Sequence, residues 1–153
     1  MEQNLKKAMQ NSISEVLGTM FYMPLEFDPD ETLSGSRLLS LPDIQASILC
    51  FDGPFSGCLV MLVPGELLAL MTADFMGERE VSAMDMEGTL KEITNMVAGN
   101  TFSNYDCHME FCLGIPEIID AANGSHGVFS RKGIFLMVES VDGPLGVWMG
   151  LGA

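Results

Sequence analysis

Apolar residues recur at helical spacing near the start of the chain. From Gln3 to Tyr22 they stand at every third or fourth position, the spacing of one helix face. Pro24 follows, and because proline cannot continue a helix interior, the predicted helix ends before it. The apolar positions of this face are Leu5, Met9, Ile13, Val16, Leu17 and Met20.

Short apolar runs further along the chain predict two β-hairpins. An Asp-Gly-Pro turn, beginning at Asp52 in one case and at Asp142 in the other, separates the two strands of each hairpin. The predicted strands are Ala46–Phe51, Cys58–Val63, Gly133–Ser140 and Gly146–Leu151.

The remaining segments alternate between helical and extended patterns. The sequence predicts a core helix over Glu66–Met76 and a long helix over Asp85–Ser103. Extended segments are expected near His108–Leu113 and Glu117–Ile119, and the acidic, turn-rich residues 26–43 predict a surface loop with at most a short strand.

The order of these elements repeats. The first helix and the long helix align so that Glu15 matches Glu92, and the two Asp-Gly-Pro turns also match. We therefore predict an α/β fold of the α+β kind, with two pseudo-repeated helix-plus-hairpin halves. In this fold, long helices pack on an antiparallel-rich sheet that the two halves share.

Length and charge limit the classes of partner. The 153 residues predict a single domain, 1–153, and the formal net charge of −14 makes nucleic acid and anionic membranes poor partners. The apolar stretch Phe55–Phe75 is interrupted by Pro64-Gly65-Glu66, which favours a strand, a turn and a helix over a membrane span. The first residues have no secretory apolar region, so we expect a cytoplasmic protein.

The cysteines suggest a competing metal or thiol chemistry. Cys107, His108 and Cys112 are the one cluster with metal-ligand residue types. In an extended strand, residues five apart point to opposite faces, so Cys107 and Cys112 would not converge on one ion. We therefore expect no metal site, and we expect the four cysteines to be reduced and mostly buried.

The long helix separates its residues into two faces. At about 100° per residue, one narrow stripe is apolar and the opposite stripe carries two polar residues between two glycines. The apolar stripe is Met86, Leu90, Ile93 and Val97, and the outward stripe is Gly88, Glu92, Asn95 and Gly99. Because each glycine costs about 1 kcal/mol relative to alanine inside a helix, the glycines suggest close access for another protein, unless they are incidental on a solvated face.

Residues 92–100, with the sequence EITNMVAGN, resemble the signature helix of the CheC/CheX/FliY chemotaxis phosphatases, and most closely that of CheX. That signature is a Glu, an Asn three residues later, a Gly-Asn pair and a Pro well downstream, which Pro116 matches. Gly88 departs from the Asp or Ser that some members have at this position. In the first helix, Gly18 occupies the Asn position, so the chain resembles members with one active helix.

The resemblance implies a phosphatase acting on the aspartyl phosphate of a CheY-type receiver domain. It implies that Asn95 orients the attacking water and that Glu92 pairs with a receiver lysine, so both are expected to be catalytic. Gly88, Met96 and Gly99 are expected to bind the partner. The resemblance further implies that the chain has no cofactor of its own and that a divalent ion (Mg²⁺) is bound by the receiver. It also implies a homodimer, because the apolar terminal hairpin, if unpaired, would leave an exposed strand edge that can pair with another chain.

A non-catalytic module remains an alternative. The same fold and helix could dock a receiver or a flagellar-switch protein without hydrolysis. The presence of both Glu92 and Asn95 favours the phosphatase, because an adaptor does not need the amide. Neither His108 nor His126 is required by the proposed chemistry.

Overall fold

The computed structural model describes residues 2–28, 37–121 and 132–152, and within them three helices pack on an antiparallel sheet of seven strands. The helices are α1 (Glu2–Phe21), α2 (Gly65–Met76) and α3 (Ala83–Tyr105). The strands are β1 (Leu25–Asp28), β2 (Ile44–Asp52), β3 (Gly57–Pro64), β4 (Cys112–Leu113), β5 (Glu117–Ile119), β6 (Gly133–Ser140) and β7 (Gly143–Leu151). A 3₁₀ turn, Arg37–Ser40, precedes β2. None of the described helices combines the length and the apolar content that crossing a membrane requires.

The helix ends follow from local hydrogen bonding. A capping box begins α3: the Ser82 hydroxyl accepts from the Asp85 N–H, and the Asp85 carboxylate accepts from the Ser82 N–H. Gly77 ends α2 in the left-handed conformation at φ 71°, which glycine adopts without strain. Both boundaries agree with the sequence prediction to within two residues.

The order of strands in the sheet is β1-β6-β7-β3-β2-β4, with β5 pairing to β2 beside β4. The terminal hairpin β6–β7 therefore lies partly inside the sheet, because β7 pairs with β3 and the last four residues of β6, Met137–Ser140, pair with β1. The edge that the sequence argument assigned to this hairpin is thus covered in part, over Met137–Ser140, and the homodimer inferred from it stays a prediction. Among the described residues, the outermost strands of the sheet are β1 and the short strands β4 and β5.

The predicted repeat is present, and the two halves exchange strands. Each half contributes a helix, a short strand and a hairpin: α1, β1 and β2–β3 in the first, and α3, β4/β5 and β6–β7 in the second. The short strand of each half pairs with the hairpin of the other, β1 with β6 and β4/β5 with β2. The predicted α+β fold, with long helices on an antiparallel sheet shared by two pseudo-repeated halves, is confirmed.

The main core lies between the helices and one face of the sheet. Leu5, Ile13, Ile93 and Val97 are fully buried there, and the Ser12 hydroxyl donates to the Val97 carbonyl at 2.7 Å, joining α1 to α3. A second apolar cluster on the opposite face of the sheet is formed by Leu38, Ala46, Cys58, Val60, Leu62, Ala121, Met137 and Trp148. The sheet is thus buried on both faces, and α3 rests on it with one side turned outward.

Two expectations need correction, one about the strand predicted near residues 108–113 and one about the burial of the cysteines. The segment is not a continuous strand, because the Asp106 carboxylate accepts from the His108 N–H at 2.9 Å and starts a turn, leaving β4 with two residues. The cysteines are not mostly buried either: Cys50, Cys107 and Cys112 are exposed and only Cys58 is buried. The reason is position, since Cys107 lies in the turn and Cys112 on an edge strand. His126 lies outside the described residues.

Candidate functional site

The outward face of α3 carries the residues that the sequence singles out. Glu92 and Asn95 are both exposed, and Gly88 is exposed one turn before Glu92. On the opposite side Leu90, Ile93 and Val97 are buried, and Met86 is half-buried against the same core. The carboxylate and the amide therefore share one solvent-facing stripe, with their Cβ atoms about 5–6 Å apart as residues three apart on a helix are.

The glycines of this stripe have no packing role in the chain itself. A Cβ built on Gly88 would have nothing within 4 Å, and one on Gly99 would meet only the Leu113 Cδ1, at 4.0 Å. Larger side chains would therefore fit the fold at Gly88 and be tolerated at Gly99. Because these glycines have no side chains, the helix backbone is accessible to another protein on both sides of Glu92 and Asn95.

Met96 lies beside this stripe, on the side that faces α1. It is half-buried and helps to line a groove of about 600 Å³ between the two helices. The residues that line this groove are Glu15, Val16, Thr19, Met20, Met96 and Asn100. The structure thus places Met96 next to the Glu92–Asn95 stripe, and places Glu15 across the groove from it.

The other side of the stripe borders β4 and an aromatic cluster. Phe102 stacks on Phe111 with ring centroids 4.2 Å apart, and the ring centroids of Phe51 and Phe102 are 4.6 Å apart. A groove of about 420 Å³ opens next to Gly99 and is lined by residues of α3 and of the segment 106–113. The aromatic contacts fix the C-terminal half of α3 against the sheet and so hold the stripe in place.

A β-bulge at the sheet edge adjoins the same groove, and sequence reasoning did not find it. Phe51 pairs with Leu113 and Ile48 pairs with Glu117, so two residues of β2 lie opposite the three residues Gly114–Pro116. The one feature of the sequence that indicated an irregular strand was Pro116 in a Gly-Ile-Pro segment. Which residues face β2, however, depends on pairing between residues that are far apart in the sequence, such as Phe51 with Leu113. Local pattern cannot supply such a register.

The cysteine and histidine cluster is not brought together as a metal site. No group of three or more His, Cys, Asp or Glu side chains in the part of the chain that the structure describes is arranged to hold an ion. Cys107 and Cys112 both border the groove next to Gly99, whereas His108 does not line it. The α3 stripe offers a carboxylate as hydrogen-bond acceptor and a neutral amide as both donor and acceptor.

Comparison with known proteins gives a family match and a set of similar folds. The family model described as "Chemotaxis phosphatase CheX" matches residues 45–136, which include α3 and the bulge. No curated protein sequence matches the chain.

Three solved structures resemble the chain over nearly its whole length. CheX from Desulfovibrio desulfuricans has a TM-score of 0.73 at 15% identity, covering 97% of this chain and 99% of its own. CheX from Vibrio vulnificus has a TM-score of 0.74 at 16% identity, covering 97% and 96%. One chain of the CheX–CheY–BeF₃–Mg²⁺ complex from Borrelia burgdorferi has a TM-score of 0.69 at 13% identity, covering 96% of this chain and 97% of its own. At these identities the likeness shows a shared fold.

Proposed function

The chain belongs to the CheX family of chemotaxis phosphatases, and we propose that it hydrolyses the aspartyl phosphate of a CheY-type receiver domain. The observation that carries the proposal is the pairing of Glu92 and Asn95 on the exposed stripe of α3 between two glycines. The Borrelia burgdorferi CheX complex with CheY, beryllofluoride and Mg²⁺ supports a receiver as the partner.

Asn95 is the residue we assign to the attacking water. An aspartyl phosphate hydrolyses readily once a water molecule stands in line with the phosphorus atom, so positioning is the main task of the phosphatase. The carboxamide oxygen can accept from that water while the amide N–H donates to a phosphoryl oxygen. Because the amide is neutral, it does not repel the phosphoryl group.

Glu92 is the residue we assign to the receiver's lysine. A charge-assisted hydrogen bond between its carboxylate and an ammonium beside the phosphorylated Asp would fix the orientation of the complex. The Mg²⁺ of such a complex belongs to the receiver, where it neutralises phosphoryl charge. This chain then contributes the amide, the carboxylate and a surface that admits the receiver.

Gly88, Met96 and Gly99 are the residues we assign to docking. The two glycines let the receiver backbone approach the helix, and Met96 offers an adaptable apolar contact at the edge of the groove between α1 and α3. A cytoplasmic location accompanies the proposal, because chemotaxis receivers act in that compartment.

Pairing within the sheet bears on the homodimer expected from the terminal hairpin. Strand β7 is paired on both sides and β6 pairs with β1 over Met137–Ser140, while β1 itself carries Glu26 and Asp28, whose charges disfavour pairing of that strand with a second copy. We retain the homodimer as a proposal. Light scattering at micromolar concentration tests it, and a single species of 16.6 kDa would contradict it.

Decay of a phosphorylated receiver tests the function directly. Purified chemotaxis receivers from the same genome are phosphorylated with a small-molecule phosphodonor, and loss of phosphate is followed with and without this protein. Faster decay is the expected result. Binding of the phosphorylated receiver with no change in its decay would instead establish the adaptor alternative.

A further inference from the structure

An isoleucine at the edge of the sheet is almost fully exposed. The Ile115 side chain is 85% exposed, and Leu113 and Met109 of the same segment are 37% and 39% exposed. Isolated apolar residues are common on protein surfaces and need no explanation by themselves. Ile115 differs from such residues because the backbone on both sides of it is fixed.

The bulge fixes this backbone. On one side, the Gly114 N–H donates to the Cys50 carbonyl at 2.7 Å, and a Cβ on Gly114 would lie 2.9 Å from that oxygen, so the strands approach too closely for another residue. On the other side, the Pro116 ring restricts its own φ and the conformation of the residue before it. Bulges at sheet edges re-aim side chains, and this one turns Ile115 into solvent.

The residues on both sides of Ile115 contact α3. Leu113, two residues earlier, lies 4.0 Å from the Cβ position of Gly99, and β5, two residues later, also contacts α3. The chain therefore contacts the helix both before and after Ile115. Gly99 stands one turn from Asn95 on the same outward side, so the neighbouring residues Leu113 and Gly99 link the isoleucine to the amide.

We propose that Ile115 is a docking anchor for the receiver domain that presents its aspartyl phosphate to Asn95, an inference that rests on the proposed function. An aliphatic side chain on a fixed backbone buries apolar area on binding, and little backbone entropy is lost because the segment is already ordered. A receiver that reaches Asn95 and extends over Gly99 and Leu113 would also cover Ile115.

Charge favours the receiver over a second copy of the chain as the occupant. The exposed carboxylates Glu110 and Glu117 lie on the same edge segment, within a chain of net charge −14. Two copies facing each other here would bring like charges together. A receiver that offers a lysine to Glu92 brings a positive charge to this surface, which a second copy would not do at the same position.

Truncation of the side chain, measured against a matched control, tests the anchor. Ile115→Ala is compared with Val141→Ala, because Val141 is 80% exposed in the turn between β6 and β7, away from α3. The readouts are kcat and KM for a phosphorylated receiver, and the Kd for the same receiver loaded with beryllofluoride and Mg²⁺. Ile115→Ala is expected to raise KM and Kd about five- to thirty-fold with kcat unchanged, and Val141→Ala to change none of them.

The outcomes separate the anchor from the function. Unchanged KM and Kd in Ile115→Ala would overturn the anchor and leave the phosphatase standing. If the unaltered protein binds the beryllofluoride-loaded receiver and Ile115→Ala weakens that binding, the anchor is supported even where no receiver is dephosphorylated. If Ile115→Ala instead converts a dimer into a monomer by light scattering and leaves Kd unchanged, a second copy covers Ile115 and the proposal is wrong.

Discussion

At the scale of single residues, charge decides which part of the proposed reaction each side chain could serve. The phosphoryl group and the receiver's carboxyl groups are anionic, so a carboxylate placed at the attacking water would be repelled from them, whereas an amide would not. On α3 the amide is Asn95 and the carboxylate is Glu92, three residues apart and both exposed. The two can therefore be tested separately, without disturbing the core.

Substitution of Asn95 should act on the rate of hydrolysis. We expect Asn95→Ala to lower kcat on the order of 100-fold, because in the proposed mechanism it removes the group that positions the water, and to leave receiver affinity largely intact. Stability should change by no more than about 0.5 kcal/mol, since the side chain is exposed. Single-turnover decay of the phosphorylated receiver measures the effect, and Asn104→Ala on the exposed last turn of α3 is the control. A fully active Asn95→Ala protein would refute the mechanism.

Substitution of Glu92 should act on the affinity for the receiver as well as on the rate. Glu92→Gln removes the charge and keeps the shape, so we expect about ten-fold weaker binding of the beryllofluoride-loaded receiver and a smaller dependence of Kd on salt. Glu87→Gln, at an exposed glutamate on another side of the same helix, should leave both unchanged. Equal effects of the two substitutions would show that only overall charge matters.

At the scale of elements, α3 shows what periodicity can and cannot predict. Its two faces follow from spacing alone, and the structure places Leu90 in the core and Asn95 in solvent as the spacing requires. The short edge strands could not be predicted in the same way. The two residues of β4 become a strand only by pairing with β2, and the Asp106 turn interrupts the extended pattern before them. The role of the stripe stays a prediction, because geometry shows exposure and not chemistry.

The glycines of α3 provide a test in which stability and binding should change in opposite directions. Gly88→Leu places a side chain in open space, so we expect the free energy of unfolding to rise by about 1 kcal/mol through helix propensity while receiver affinity falls at least ten-fold through bulk. Gly18→Leu on α1 also enters open space and should give the stability gain without the loss of affinity. Thermal unfolding and receiver titration measure the two effects. Retained affinity in Gly88→Leu would mean that the receiver does not approach this turn of the helix.

At the scale of the whole molecule, the exchange of short strands ties the two halves together. The pairing of β1 with β6 joins Leu25 to Ser140, and that of β5 with β2 joins Ile48 to Glu117. Neither half can satisfy the backbone hydrogen bonds of its own short strand, and each exposes the apolar face that the other covers. The halves should therefore be stable only together.

Separation of the halves tests this dependence. Fragments 1–79 and 80–153 divide the chain in the exposed connection between α2 and α3. We expect each fragment alone to lack a cooperative unfolding transition, and the co-expressed pair to purify as one folded complex. Circular dichroism and size-exclusion chromatography provide the measurement. A fragment that unfolds cooperatively by itself would show that strand exchange is dispensable.

The exchange of strands also carries a consequence for the origin of the chain. A single helix–strand–hairpin unit of this kind could have folded only as a pair of identical chains, each giving its short strand to the other, so the present fold has the form of a domain-swapped dimer fused into one polypeptide. In a pair of identical chains every change appears on both helices. Fusion removes that constraint, so one helix can keep a carboxylate and an amide, Glu92 and Asn95, while the other keeps Glu15 and has Gly18 in place of the amide.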